Sequence, residues 1–328
     1  MKKLYTLSLA LIATAGFAQA TLPLTEAFNY TAGSNLNNQG GWGGTAAVPD
    51  DALISAGNLS YPGLAASTGN SLTIAANGFD PQLTFTDQTA GVVYSSFIFK
   101  VTDLTTLTDA AGGYFFGLAA TNTNFASTVW LKSSGEGFQI GLNKSTTIAD
   151  TQYLPTVYNI NTEYFVVIAY NLGETKSSSI WVNPAASTFN SATVPAASLN
   201  VTAGTDRTNI KIVFVRQDST TETPTIAIDE VRVATTWAGV TPAAPLAVNQ
   251  NTIAGLKVYP NPVTNGTLFI DTNADADKSV AIFDVLGKQV INTKTSSNSV
   301  NVSNLKGGVY IVKITEEGKT ATRKLVIR

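Results

Sequence analysis

A chain of 328 residues with neither histidine nor cysteine excludes much familiar chemistry at once. Ser-His-Asp and Cys-His nucleophile pairs cannot be built, nor can zinc sites ligated by His or Cys. What remains is carboxylate chemistry, and glycoside hydrolysis needs only two carboxyl groups held roughly 5 to 10 Å apart. Asp229-Glu230 is an acidic pair inside a strand-like stretch. Neighbouring side chains on a strand point to opposite faces, so this pair does not converge.

Oxygen-rich loops raise calcium as a candidate ligand. Asp50-Asp51 lies in a loop, with Asp109 and Asp150 as further loop carboxylates. "DTNADAD", beginning at Asp271, sets Asp271, Asn273, Asp275 and Asp277 at the spacing of the first half of an EF-hand. Ala276 stands where that loop needs Gly and Ile282 where it needs the bidentate Glu, so the stretch reads as a solvated turn. Aromatic rings can stack on sugar faces. Trp42, set among glycines in "GGWGG", with Tyr153 and Tyr158 in a loop-rich stretch, are the candidate platform; Trp130 is a further tryptophan, and Trp181 and Trp237 are expected in the core.

The elements that must position these residues are strands. "GFQIGL" alternates with period two, and "YFVVIAY" is apolar on both faces, as a strand covered on each side must be. Further strand-like runs such as "VVYSSFIFKV", "IKIVFVR" and "TIAIDEVRVA" are separated by Gly, Asn, Asp, Ser and Thr clusters, and no segment sustains a 3.6-residue period. About a dozen strands before residue 242 predict an all-β jelly-roll sandwich.

The chain opens with Lys2-Lys3, an apolar run from Leu7 to Phe17, and Ala18-Gln19-Ala20. This is the order of a secretory signal peptide over residues 1–20, with cleavage after Ala20. No later apolar run reaches membrane-spanning length. Residues 21–246 carry 16 acidic and 8 basic side chains, whereas 247–328 carry 6 and 10. The larger, acidic part has no basic stripe for phosphates, which argues against nucleic acid as a partner. "GVTPAAPLAVNQNTIAG" reads as a linker, assigned to 243–255.

Two resemblances extend this reading. "EAFNYTAGSNLNNQGGWGG", "NLSYPGL" and "IAIDEVRVATTWAGVTP" resemble a concanavalin-like, laminin-G-like jelly roll over residues 21–242. The resemblance implies that the first and last strands pair, bringing Phe28 near Val231 and Val233, and that sugar or calcium sites lie on rim loops or the concave sheet. The Glu-x-Asp-x-x-Glu strand of jelly-roll glucanases is absent. "LKVYPNPV", "VAIFDVLGKQV", "LKGGVYIVKI" and "GKTATRKLVIR" strongly resemble the type IX secretion C-terminal sorting domain of Bacteroidetes over residues 256–328, a small β-sandwich. The residues carrying it are Tyr259, Pro260, Asn261, Pro262, Gly287, Gly308, Tyr310 and Lys324. It implies export through the type IX machinery and a protein released or attached to the outer cell surface.

Together these features predict a non-catalytic, lectin-like module that binds polysaccharide or mediates adhesion. The alternatives are a structural or protein-binding surface protein, or a glycan hydrolase or lyase with an atypical carboxylate site.

Overall fold

The computed structural model describes residues 19–44, 52–245, 253–274 and 276–328. Most of the expected signal peptide, and Asp50, Asp51 and Asp275, therefore lie outside the described residues. The chain forms two compact units, residues 1–245 and 246–328.

The larger unit is a jelly-roll sandwich of two antiparallel sheets. The back sheet has eight strands, running Leu199–Val201, Ser177–Val182, Tyr164–Asn171, Val92–Asp103, Thr225–Ala234, Ser71–Ile74 and Leu53–Ser55, with Leu24–Glu26 also paired to Thr225–Ala234. The front sheet has seven: Gln152–Tyr153, Gly137–Asn143, Asn124–Ser134, Gly113–Thr121, Ile210–Val215, Gln82–Gln88 and Trp42–Gly43. As expected, the first strand closes on the last, with Leu24 opposite Val233 and Glu26 opposite Val231. Tyr164–Asn171 is hydrogen-bonded on both sides and buried on both faces, which explains its unbroken apolar run. Helix is confined, among the described residues, to the four-residue turn Trp237–Val240 and two short 3-10 turns.

Between the sheets lies an aromatic-rich core. Phe97 packs on Phe116 in a tilted pair with ring centroids 3.9 Å apart, and Phe99, Phe115 and Phe138 pack around them. Burying each such side chain contributes about 1.5–3 kcal/mol. One irregularity decides what the front sheet shows to solvent. Register shifts in the Gly113–Thr121 strand place Tyr114 opposite Trp130 but Phe116 opposite Val129. This bulge sends consecutive Phe115 and Phe116 into the core and leaves Tyr114 on the outer face.

The outer face of the back sheet is closed by loops. Tyr94, Phe165 and Trp181 are covered by Trp237, Phe189 and Leu64. The Trp237 indole donates to the Thr188 carbonyl at 2.8 Å, and the Trp181 indole to that of Pro195 at 2.9 Å. Both tryptophans are therefore core residues, as expected from their place beside strand motifs.

The smaller unit packs a three-stranded sheet, Lys257–Tyr259, Thr267–Asp271 and Ser299–Asn301, against a four-stranded one, Gln289–Thr295, Lys278–Phe283, Gly308–Glu316 and Lys319–Ile327. Leu268, Ile270, Val280, Ile282, Val312, Ile314 and Leu325 form its core. Asn261, between its two prolines, ties the entry segment to the last strand: its amide donates to the Lys324 carbonyl and its carbonyl accepts from the Val326 N–H, both at 2.9 Å.

Candidate functional site

The outer face of the front sheet gathers aromatic and charged side chains in a way the back sheet does not. Alternation along Ile210–Val215 turns Ile212 and Phe214 outward, and Arg216 continues that face one step beyond the strand. The neighbouring strands add Tyr114, Phe125 and Trp130, and the edge strand adds Tyr153. Tyr114 and Trp130 lie 5.2 Å apart by ring centroid, and Phe125 and Phe214 4.8 Å apart. Two glycines let the rings lie flat on the sheet. A Cβ on Gly117 would meet the Phe214 ring at 2.8 Å, and one on Gly141 the Tyr153 ring at 2.7 Å.

Two cations sit over these rings. The Arg216 guanidinium carbon is 4.5 Å from the Tyr114 ring centroid and 5.7 Å from that of Phe125, and Lys132 Nζ is 4.3 Å from that of Tyr153. Arg216 Nη2 pairs with the Asp218 carboxylate, while its Nε is buried and without a hydrogen-bond partner. A buried N–H left unmade costs about 1–3 kcal/mol, so this donor is an unusual feature of the cluster.

Beside Arg216, Asp218 and Glu222 share a hydrogen bond across a short turn. That bond, with burial and the nearby Asp218 charge, pushes the Glu222 carboxyl up to about 7. Burial works against ionisation of Asp218, but its hydrogen bonds with Glu222 and Arg216 hold it below the usual carboxylate range. The Tyr114 hydroxyl is pushed upward by burial and stays protonated at neutral pH. The turn itself is anchored: the Asp218 N–H donates to Thr223 Oγ1 at 2.9 Å, and the Gln217 N–H to Asp80 at 2.8 Å. The result is a fixed cation, a carboxyl pair with one readily exchanged proton, and a phenol, set on an aromatic floor.

Most of the residues expected from sequence do not join this site. Trp42 is a correction: it is 1% exposed, stacks on Phe28, and donates its indole N–H to Glu26 at 2.8 Å, so its ring faces are closed to a sugar. Tyr158 packs on Phe138 and Tyr164 at 5.9 and 5.1 Å and supports the core edge. Tyr153 does lie on the outer face, its hydroxyl donating to the Ala111 carbonyl at 2.6 Å. Asp109 is used in its own turn, accepting from the Ala111 N–H at 2.7 Å. Among the described residues, no three carboxylates converge on a metal position. Asp229 and Glu230 are buried braces: Asp229 accepts from the Leu59 N–H at 2.8 Å, and Glu230 accepts from that of Thr68 at 2.9 Å and pairs with Arg232.

In the smaller unit, Gly287 adopts φ +83° in a tight turn, Tyr310 donates its hydroxyl to the Lys306 carbonyl at 2.9 Å, and Lys324 lies on the terminal strand opposite Ile311.

Residues 257–328 match the family model described as a secretion system C-terminal sorting domain. A curated relative, the ulvan lyase NLR42 of Nonlabens ulvanivorans, is 36% identical over 86 residues, covering 25% of this chain and 16% of that protein. The chain thus spans well under a fifth of that relative's length. Among solved structures, the alginate lyase Aly36B aligns with a TM-score of 0.41 at 12% identity, over 66% of this chain and 97% of that one. The endo-β-1,4-glucuronan lyase of Trichoderma reesei aligns with a TM-score of 0.38 at 12% identity, over 65% and 98%. The expectation of a non-catalytic chain is corrected by the curated relative, which is named as a lyase. Residues 257–328 are a type IX secretion C-terminal sorting domain, and the protein that carries it is exported, to be attached to the cell surface or released.

Proposed function

We propose that the protein is an exported polysaccharide lyase that cleaves uronate-containing chains on the outer face of its front sheet. The observation that carries this reading is the Arg216 guanidinium, held on Tyr114 with a buried, unpartnered Nε, beside the Asp218–Glu222 carboxyl pair. The ulvan lyase relative supports the reaction class.

β-Elimination needs three things from a protein. A cation must stabilise charge building on the uronate carboxylate, a base must take the proton from the adjacent ring carbon, and an acid must protonate the departing glycosidic oxygen. Arg216, its side chain 21% exposed, supplies the first. Glu222, with its carboxyl near neutrality, supplies the second. Tyr114, protonated at neutral pH, supplies the third. The electron pair from the broken C–H bond forms the new ring double bond as the bond to the leaving oxygen breaks, so no external oxidant or water is consumed. Phe125 and Tyr153, the partly exposed rings of the cluster, offer the sugar its apolar contact, with Trp130 buried in the cluster.

The test is to incubate the full mature chain with alginate, glucuronan and ulvan and follow the ultraviolet absorbance of unsaturated uronate ends. Product on at least one substrate, lost by about 10²–10³-fold in Arg216→Ala, is the expected result. No unsaturated product from any uronate polymer would sink the reading.

A further inference from the structure

Eleven large hydrophobic side chains stand exposed among the described residues, and seven of them belong to the smaller unit. They are not scattered evenly. Leu286 is 91% exposed and Val285 74%, both in the turn joining Lys278–Phe283 to Gln289–Thr295. Yet this turn is not loose. Asp284 Oδ1 accepts from the N–H groups of Leu286 at 2.9 Å and Lys288 at 3.0 Å, and backbone bonds link Gly287 and Lys288 to Asp284 at 3.0 Å each. The chain thus spends a well-bonded turn on presenting two apolar side chains to solvent, the reverse of the polar tip that solubility alone favours.

The adjoining sheet face continues the pattern. Val280, Ile282, Val312 and Ile314 point to the core, so alternation turns Phe283 and Ile311 to the other side, where the register sets them opposite each other. Ile311 is 40% exposed and lies opposite Lys324; Lys313 lies opposite Ala281 on the same face. An apolar stripe that begins at the turn is therefore flanked by lysines, with Asp284 already engaged as the turn's brace.

We infer that the secretion apparatus reads the sorting domain through the Val285–Leu286 turn and the Phe283–Ile311 stripe, using a protein surface with an apolar pocket rimmed by carboxylates. The sorting-domain match commits the tail to recognition by export proteins. The lysine flank fixes the sign of the partner's rim, because like charges there would repel the approach. The rigid turn lowers the entropy lost on docking, which is how a small surface becomes a strong anchor. This inference stands independently of the lyase reading.

The experiment uses the full chain expressed in a host with the export system, with surface-attached, released and cell-retained protein measured separately. Val285→Ser with Leu286→Ser is expected to reduce export about tenfold or more, and Leu286→Met to retain it. Lys313→Glu with Lys324→Glu is expected to reduce export by a similar factor, because it reverses the flank. Thermal unfolding of the purified full chain should be unchanged by Val285→Ser with Leu286→Ser, since both side chains are in solvent, while Leu53→Ser, an exposed apolar position in the larger unit, leaves export intact. Wild-type export of the Val285→Ser, Leu286→Ser chain would overturn the inference. So would a wild-type dimer that this variant converts to a normally exported monomer, which would assign the turn to self-association.

Discussion

At the scale of single residues, the candidate site is a balance among neighbouring charges. Asp218 stays ionised because Glu222 and Arg216 both bond to it, and Glu222 holds a proton to about pH 7 for the same reason. As the base of the proposed elimination, Glu222 must be ionised, so cleavage rises as pH increases through about 7. Glu222→Gln removes that limb and lowers the turnover by about 10²–10⁴-fold while leaving oligosaccharide binding through Arg216 in place; rate and affinity measured across pH separate the two. A binding loss equal to the rate loss would place Glu222 in sugar contact instead. Away from the site, burial pushes fully buried Asp229 up to about 7, against 3.8 for the free side chain. The folded state therefore binds its proton more tightly than the unfolded state. Its contribution is complete below about pH 3.8 and is lost as pH rises through about 7. Asp229→Asn should remove a fall on the order of 4 kcal/mol across that window, read from urea midpoints at several pH values.

At the scale of elements, the strands were legible because period-two alternation and two-faced apolar runs report burial directly. "YFVVIAY" has no polar residue because the sheet covers both its edges and both its faces. The alternation of Ile212, Phe214 and Arg216 was also present in "IKIVFVR" and could have drawn attention to Arg216. What remained hidden was the bulge that turns Tyr114 outward, since two consecutive phenylalanines fit a straight strand equally well. Trp42 misled for a related reason. Glycines around an aromatic ring suit an exposed platform, but here they let the chain fold tightly enough for the indole to reach Glu26. In the smaller unit, a charged pair holds two strands together: Lys278 Nζ lies 3.1 Å from Glu316, and both side chains are almost wholly buried. Glu316 also accepts from Thr272 and the Ala276 N–H, so removing Lys278 strands a satisfied carboxylate without its cation. Lys278→Met should destabilise the tail by about 3–5 kcal/mol, and Lys278→Met with Glu316→Leu by clearly less. Denaturant unfolding of the full chain, followed by a probe placed in the tail, measures both; equal losses would show that the Glu316 carboxylate left without its cation carries no penalty.

At the scale of the whole molecule, two kinds of information were encoded with different clarity. The tail announces itself in four ordered sequence blocks, because recognition by a shared apparatus ties surface, turn and core residues to fixed places. The proposed glycan site is dispersed over Gly113–Thr121, Asn124–Ser134, Ile210–Val215 and the turn after it, and only folding brings those segments together. Deleting residues 257–328 should leave the larger unit folded and any lyase activity intact in cell extracts, while abolishing surface and extracellular protein; immunoblots of cell, surface and medium fractions, with activity assayed in each, check both halves. Continued appearance of the truncated chain outside the cell would remove the tail from the export route.

The order in which the back sheet is wound has a consequence for synthesis. Its Thr225–Ala234 strand is among the last to be made, yet it lies between Val92–Asp103 on one side and Ser71–Ile74 and Leu24–Glu26 on the other. Until it emerges, the earlier strands on its two flanks have no common partner, and the sandwich cannot close. Pairings this distant along the chain form slowly. A nascent chain therefore leaves its larger unit open until residue 234 has been made, its own topology withholding that fold.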